Sequence, residues 1–104
     1  MFQSRYRVVP ELIQQYAHLL TDESGITYRA FAYGQSRADG TWEGWIEFHP
    51  VKGTHPVLRT GRETTQPDRS ALAYWASGLE PVYFEGAFDR AIRSSQEQGR
   101  PVIS

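Results

Sequence analysis

The chain has 104 residues, of which 39% are hydrophobic and 22% charged, a size and balance that suit one compact domain rather than two. It contains no cysteine, which excludes disulfide frameworks, thiolate metal sites and thiol nucleophiles. Eleven cations against twelve acids leave a net charge of −1, so no overall field draws the chain to nucleic acid or anionic lipid. No apolar run approaches the ~20 residues of a membrane-spanning helix, and residues 1–7 lack a signal-peptide core. The expectation is a soluble, cytoplasmic protein with a single domain over residues 1–98 and a flexible tail over 99–104.

Taken in chain order, Arg5 to Val9 reads as a weak edge strand. Pro10 and Glu11 suit a helical first turn. Ile13, Tyr16, Ala17 and Leu20 fall at i, i+3, i+4 and i+7, which predicts a helix ending near Thr21. Asp39-Gly40 between Ile26–Gly34 and Thr41–Val51 predicts a hairpin. A two-residue loop sets Phe31 opposite Phe48 and places Phe31 and Tyr33 in the core, whereas a three-residue loop sets Ala30 there. The two-residue form is preferred on the grounds that it buries the aromatics. In the second arm Trp42, Gly44, Ile46 and Phe48 share the core face, and Glu43, Trp45, Glu47 and His49 share the other.

Val57 to Thr60 supplies a short third strand of that sheet. Thr65-Gln66-Pro67-Asp68 resembles a capping box opening a helix, with Gly78 as its left-handed C-cap. Pro81 then opens a last helix striped by Phe84, Phe88, Ala91 and Ile92; the rival is a strand at Val82–Glu85 broken by Gly86. The order is β-α-β-β-β-α-α: an α+β fold with a small antiparallel sheet of three to four strands and helices packed on one face. Trp42, Ile46, Phe48, Leu72, Trp75 and Phe88 are expected to form its core.

Chemistry is harder to read. His49 and His55, with Glu47 nearby, match no standard metal-ligand spacing, so no metal or cofactor is expected. Glu43 and Glu47 lie two strand steps apart on a solvated face, too far for a glycosidase pair. Two places stand out. Arg59, Arg62, Thr64 and Thr65 approach a predicted helix start, where unpaired N–H groups attract anions, with Glu63 as the nearest possible general base. Trp45 projects from the face away from the helices, as an interface aromatic would.

The run from Asp39 to Phe48, with Arg59-Thr60, Arg62–Pro67 and Tyr74-Trp75-Ala76, resembles a family of small bacterial proteins with no established activity. The resemblance spans roughly residues 26 to 92 and implies a bacterial, stand-alone domain, but carries over no functional residue. The αβββα order is also similar to that of double-stranded-RNA-binding domains and HicB-type antitoxins, without a supporting motif. The helix opening at Thr65-Gln66-Pro67-Asp68-Arg69, which would close that order, has an acid in its first turn and lacks the lysines of the RNA-binding domains, which sets nucleic acid aside. The residues point to a non-enzymatic binding module acting through Trp45 on a homodimer or protein partner. The alternative is a small anionic-ligand binder or enzyme using Arg59, Arg62, Thr64 and Thr65.

Overall fold

The computed structural model describes residues 9–98, and the expected strand at Arg5–Val9 and tail at 99–104 lie outside those residues apart from Val9, which is exposed coil. Among the described residues five strands precede two helices: β1 (Glu11–Thr21), β2 (Thr27–Ser36), β3 (Trp42–Pro50), β4 (Leu58–Arg59), β5 (Thr64–Gln66), α1 (Arg69–Ser77) and α2 (Pro81–Gln98). All pairings are antiparallel, in the order β1-β2-β3-β4, with β5 also on β3. Both helices pack on one face of this sheet, as the α+β expectation requires. Among the described residues no helix is long and apolar enough to cross a membrane.

The first correction concerns Glu11–Thr21, which is a strand and not a helix. Its ladder with β2 is interrupted between Leu12 and Gln14 and again between Gln15 and Leu19. The first adds one residue to β1 and shifts the phase of its alternation, while the second adds two and leaves that phase unchanged. Ile13, Tyr16 and Leu20 therefore all turn toward the helices and pack in the core. The one-residue bulge produces the step of three from Ile13 to Tyr16, and the step of four to Leu20 is two ordinary alternations, a combination that looks like a helix in sequence. Pro10, just ahead of this edge strand, has no ladder hydrogen bond to lose.

The second correction is the hairpin register. Ala30 pairs with Phe48, Ala32 with Ile46 and Gly34 with Gly44. The Arg37 carbonyl accepts from Gly40 N at 2.9 Å and Arg37 N donates to Thr41 O at 2.7 Å, while Gly40 adopts φ +89°. Only one residue of this loop is left-handed, so it is the three-residue form closed by glycine and not a type I′ turn. Asp39 supports it by accepting from Thr41 N at 3.0 Å and Thr41 Oγ1 at 2.6 Å, bonds that hold its carboxyl below the usual range. A one-residue slip exchanges the two faces of a strand. Phe31 and Tyr33 consequently leave the core, and Tyr28, Ala30, Ala32 and Gly34 take the helix side.

Small residues on that side let the helices approach the sheet backbone. A Cβ on Gly34 would stand 2.3 Å from Leu72 Cδ2 and 2.9 Å from the Glu43 carbonyl oxygen; one on Gly44 would stand 2.6 Å from Leu72 Cδ1. Leu72 of α1 is seated in the notch that the paired glycines leave open. Ala87 and Ala91 of α2 are fully buried, and Phe84 and Phe88 join them in one core cluster with the sheet residues. Phe88 meets Phe48 edge-on with centroids 5.1 Å apart, and Tyr28 at 5.6 Å. Ile46, Phe48, Leu72 and Phe88 are buried as expected; Trp75 is half-buried and packs against the core from its edge, whereas Trp42, also half-buried, is not part of it. The inward line of α1 runs through Leu72 and Ala76, one position past Trp75.

Helix boundaries bring two further corrections. Residues 64–66 extend as β5, which moves the α1 N-cap from Thr65 to Asp68, whose carboxylate accepts from Ala71 N at 2.9 Å. Gly78 is not left-handed: with φ −96° it donates to Trp75 O at 3.1 Å and leads directly to Pro81, the first residue of α2. The strand alternative at Val82–Glu85 does not occur.

The glycine notch is testable. Gly34→Ala should destabilise the fold by about 1–3 kcal/mol through overpacking, read as a lower urea midpoint. The same substitution should cost distinctly less in a Leu72→Ala background, because the obstructing methyl is gone.

Candidate binding face

The register that sends Phe31 and Tyr33 outward assembles a surface on the sheet face opposite the helices. It carries Arg29, Phe31, Tyr33 and Gln35 from β2 and Glu43, Trp45, Glu47 and His49 from β3, continued by Arg59 of β4 and Thr65 of β5. Among the described residues no helix or strand packs on this face. His49 lies 4.6 Å from Phe31 and 6.1 Å from Tyr33 by ring centroids, and Tyr33 lies 6.5 Å from Trp45. The Arg59 guanidinium sits 4.0 Å from the Trp45 ring centroid, a cation held against the negative face of an aromatic ring. Arg59, Trp45, Tyr33, His49 and Phe31 thus form one continuous row.

Trp45 does not stand out from the face as an exposed anchor. It is 1% exposed, bordered by Arg59 and Tyr33, with its indole N–H donating to Glu47 Oε2 at 2.8 Å. The other oxygen of Glu47 lies 3.0 Å from His49 Nε2. One carboxylate therefore holds two rings of its own strand. Glu43 accepts from Gln35 Nε2 at 2.6 Å. The two carboxylates are thus engaged by separate partners.

Arg59 owes its position to an irregular edge. β4 and β5 both pair with β3, but two extra residues separate them relative to a continuous ladder. Thr60 bridges the break: it is buried, its hydroxyl accepts from Ile46 N at 3.1 Å and donates to Gly61 O at 2.7 Å, and its own N donates to Ile46 O at 3.0 Å. Gly61, Arg62 and Glu63 complete the crossing, with Gly61 and Arg62 exposed.

The four residues of the expected anion corner are divided by this geometry. Arg59 and Thr65 face outward, while Thr64 pairs with Gly44 on the helix side and accepts from Gln66 Nε2 at 2.7 Å. Arg62 lies in the crossing. The nearby helix end already has its cap in Asp68. Glu63, the nearest general-base candidate, turns inward with a side chain only 10% exposed. It accepts from the Tyr83 hydroxyl and from Arg90 at 2.6 and 3.1 Å, fastening the interrupted edge to α2. Burial, then the bond to Glu63, pushes the Tyr83 hydroxyl far up.

His55 lies in the exposed loop after β3 and His18 on β1, 5.9 Å from the Phe84 ring. No three His, Asp or Glu side chains among the described residues are grouped as a metal site would need. The face residues that sequence reasoning missed are Arg29, Phe31, Tyr33 and Gln35. Their signal was the three-residue loop, the less favoured of two registers. No family model, curated protein or solved structure matches this chain.

Removing the Tyr83 hydroxyl should separate clamp from packing. Tyr83→Phe should cost about 1 kcal/mol at neutral pH, the worth of one hydrogen bond. Tyr83 and Tyr16, the latter pushed up to about 12 by burial, are held protonated in the folded chain. Their contribution is complete below about pH 10, the unfolded tyrosine value, and is lost as pH rises above it. Tyr83→Phe should flatten this alkaline fall in a series of denaturant melts.

Proposed function

We propose that the chain is a non-enzymatic interaction module whose contact surface is the helix-free face of the sheet, and that its partner there is a second copy of the same chain. The observation that carries the reading is the row Arg59–Trp45–Tyr33–His49–Phe31, braced from below by Glu47. Such bracing fixes the rotamers before contact, which lowers the entropy lost on association. Tyrosine and arginine over a buried tryptophan are residue types that dominate interface energetics.

Size and charge favour a second copy. The face is four strands wide and nine to ten residues long, roughly 20 by 30 Å from strand spacing and rise. That is on the order of the ~800 Å² per partner in a standard interface. A two-fold axis lying in the face and across the strands reverses the second copy. Arg29 at one end then meets the Gln35–Glu43 pair of the second copy, and Phe31 lies over its Tyr33. The contact is isologous and closes as a dimer, in the manner of two packed sheets.

The alternative, an anionic-ligand binder or enzyme built on Arg59, Arg62, Thr64 and Thr65, has less support. Thr64 lies on the opposite face from Arg59 and Thr65, and Arg59 is already stacked on Trp45.

Sedimentation velocity across a concentration series tests the dimer. The wild-type chain should pass from monomer to dimer, and Arg29→Glu or Glu43→Arg should each weaken association more than tenfold. Combining the two reversals should restore it, because opposite charges face one another again. A chain that stays monomeric, or a dimer indifferent to both reversals, would remove this reading.

A further inference from the structure

At the far end of the molecule from the Asp39-Gly40 loop, the turn between β1 and β2 and the outer half of α2 enclose a groove of about 450 Å³. This is within the ~300–1,000 Å³ of small-molecule sites. Its floor is Tyr28, Leu58 and Phe88, all buried, and its rim carries Asp22, Glu23 and Asp89 with no cationic side chain in the lining. Asp22 is fixed in place, its Oδ1 accepting from Ser24 N and Ile26 N at 2.9 Å each. Asp89 is drawn only weakly by Arg93, at 3.4 Å between two exposed side chains.

Tyr28 is the unusual member. It is 3% exposed, yet its hydroxyl has no hydrogen-bond partner among the described residues. Buried polar groups are nearly always paired, and an orphan calls for an explanation. Tyr28 and Asp22 both line the groove, and burial, then the Asp22 charge, push the Tyr28 ionisation up, so its hydroxyl stays neutral there. A neutral phenol can accept one hydrogen bond and donate another.

We infer that this groove binds a small organic cation, a protonated amine carried on an apolar body. The apolar part replaces water over Leu58 and Phe88, and the ammonium lies among the three carboxylates and over the aromatic floor. One of its N–H groups donates to the Tyr28 hydroxyl and satisfies the orphan. The site is independent of the sheet face assigned to self-association, since Tyr28 and Phe88 lie on the helix side.

The test is a titration of the full chain with phenethylammonium, followed by amide chemical shifts, with 2-phenylethanol and phenylacetate as matched neutral and anionic probes. The amine should shift the resonances of Ser24, Phe88 and Asp89, and the carboxylate should not. Tyr28→Phe should lower affinity up to about tenfold, the equivalent of one hydrogen bond. Glu23→Gln and Asp89→Asn, both exposed, should each lower it while leaving the melting temperature unchanged. Equal shifts from all three probes, no shift from the amine, or undiminished affinity in Tyr28→Phe would each overturn the assignment.

Discussion

Gly40 takes a φ of +89° and closes a loop whose length decides which side of the sheet each side chain of β2 occupies. With that phase, Ala30, Ala32 and Gly34 line the helix side, and the helices can come down onto the backbone. Leu72 occupies the space over Gly34 and Gly44 that any larger residue would fill. The same phase turns Phe31 and Tyr33 outward beside Trp45 and His49. Core and contact surface are therefore two consequences of one turn. A slip by one residue would place two aromatics against Leu72 and leave the outer face lined with alanine.

The edge of the sheet shows a second economy. An interrupted strand is a liability, because unpaired backbone groups invite other chains. Here Thr60 supplies the missing hydrogen bonds from its side chain, and Glu63 ties the crossing to Tyr83 and Arg90 on α2. The interruption leaves Arg59 paired opposite Glu47 but lying over Trp45, where it closes the end of the aromatic row. Glu47 stabilises that row from within by holding Trp45 and His49 with its two oxygens.

The parts legible in the sequence were those whose pattern has one reading. The β3 alternation and the buried set Ile46, Phe48, Leu72 and Phe88 follow from periodicity alone, while the stripe of α2 had to outweigh a rival strand at Val82–Glu85. β1 was not legible, because a one-residue bulge between Leu12 and Gln14 sets Ile13, Tyr16 and Leu20 at the spacing of a helix. The hairpin register was ambiguous because Asp39-Gly40 serves both a loop with one left-handed residue and a loop with two. The wrong choice followed from assuming that Phe31 and Tyr33 must be core. That assumption also hid the face, since Trp45 alone looked like a solitary exposed ring. The corner at Arg59 to Thr65 failed for a related reason: β5 extended the chain through the residues expected to cap α1.

The account rests on the pairing of Ala30 with Phe48, and nuclear Overhauser contacts across the hairpin report it directly. The Ala30 methyl should show contacts to the Phe48 ring and to Phe88, and the Phe31 ring should show contacts to His49. Contacts from the Phe31 ring to Phe48 and Phe88 instead would place the aromatics of β2 in the core, and the outward face described here would not exist.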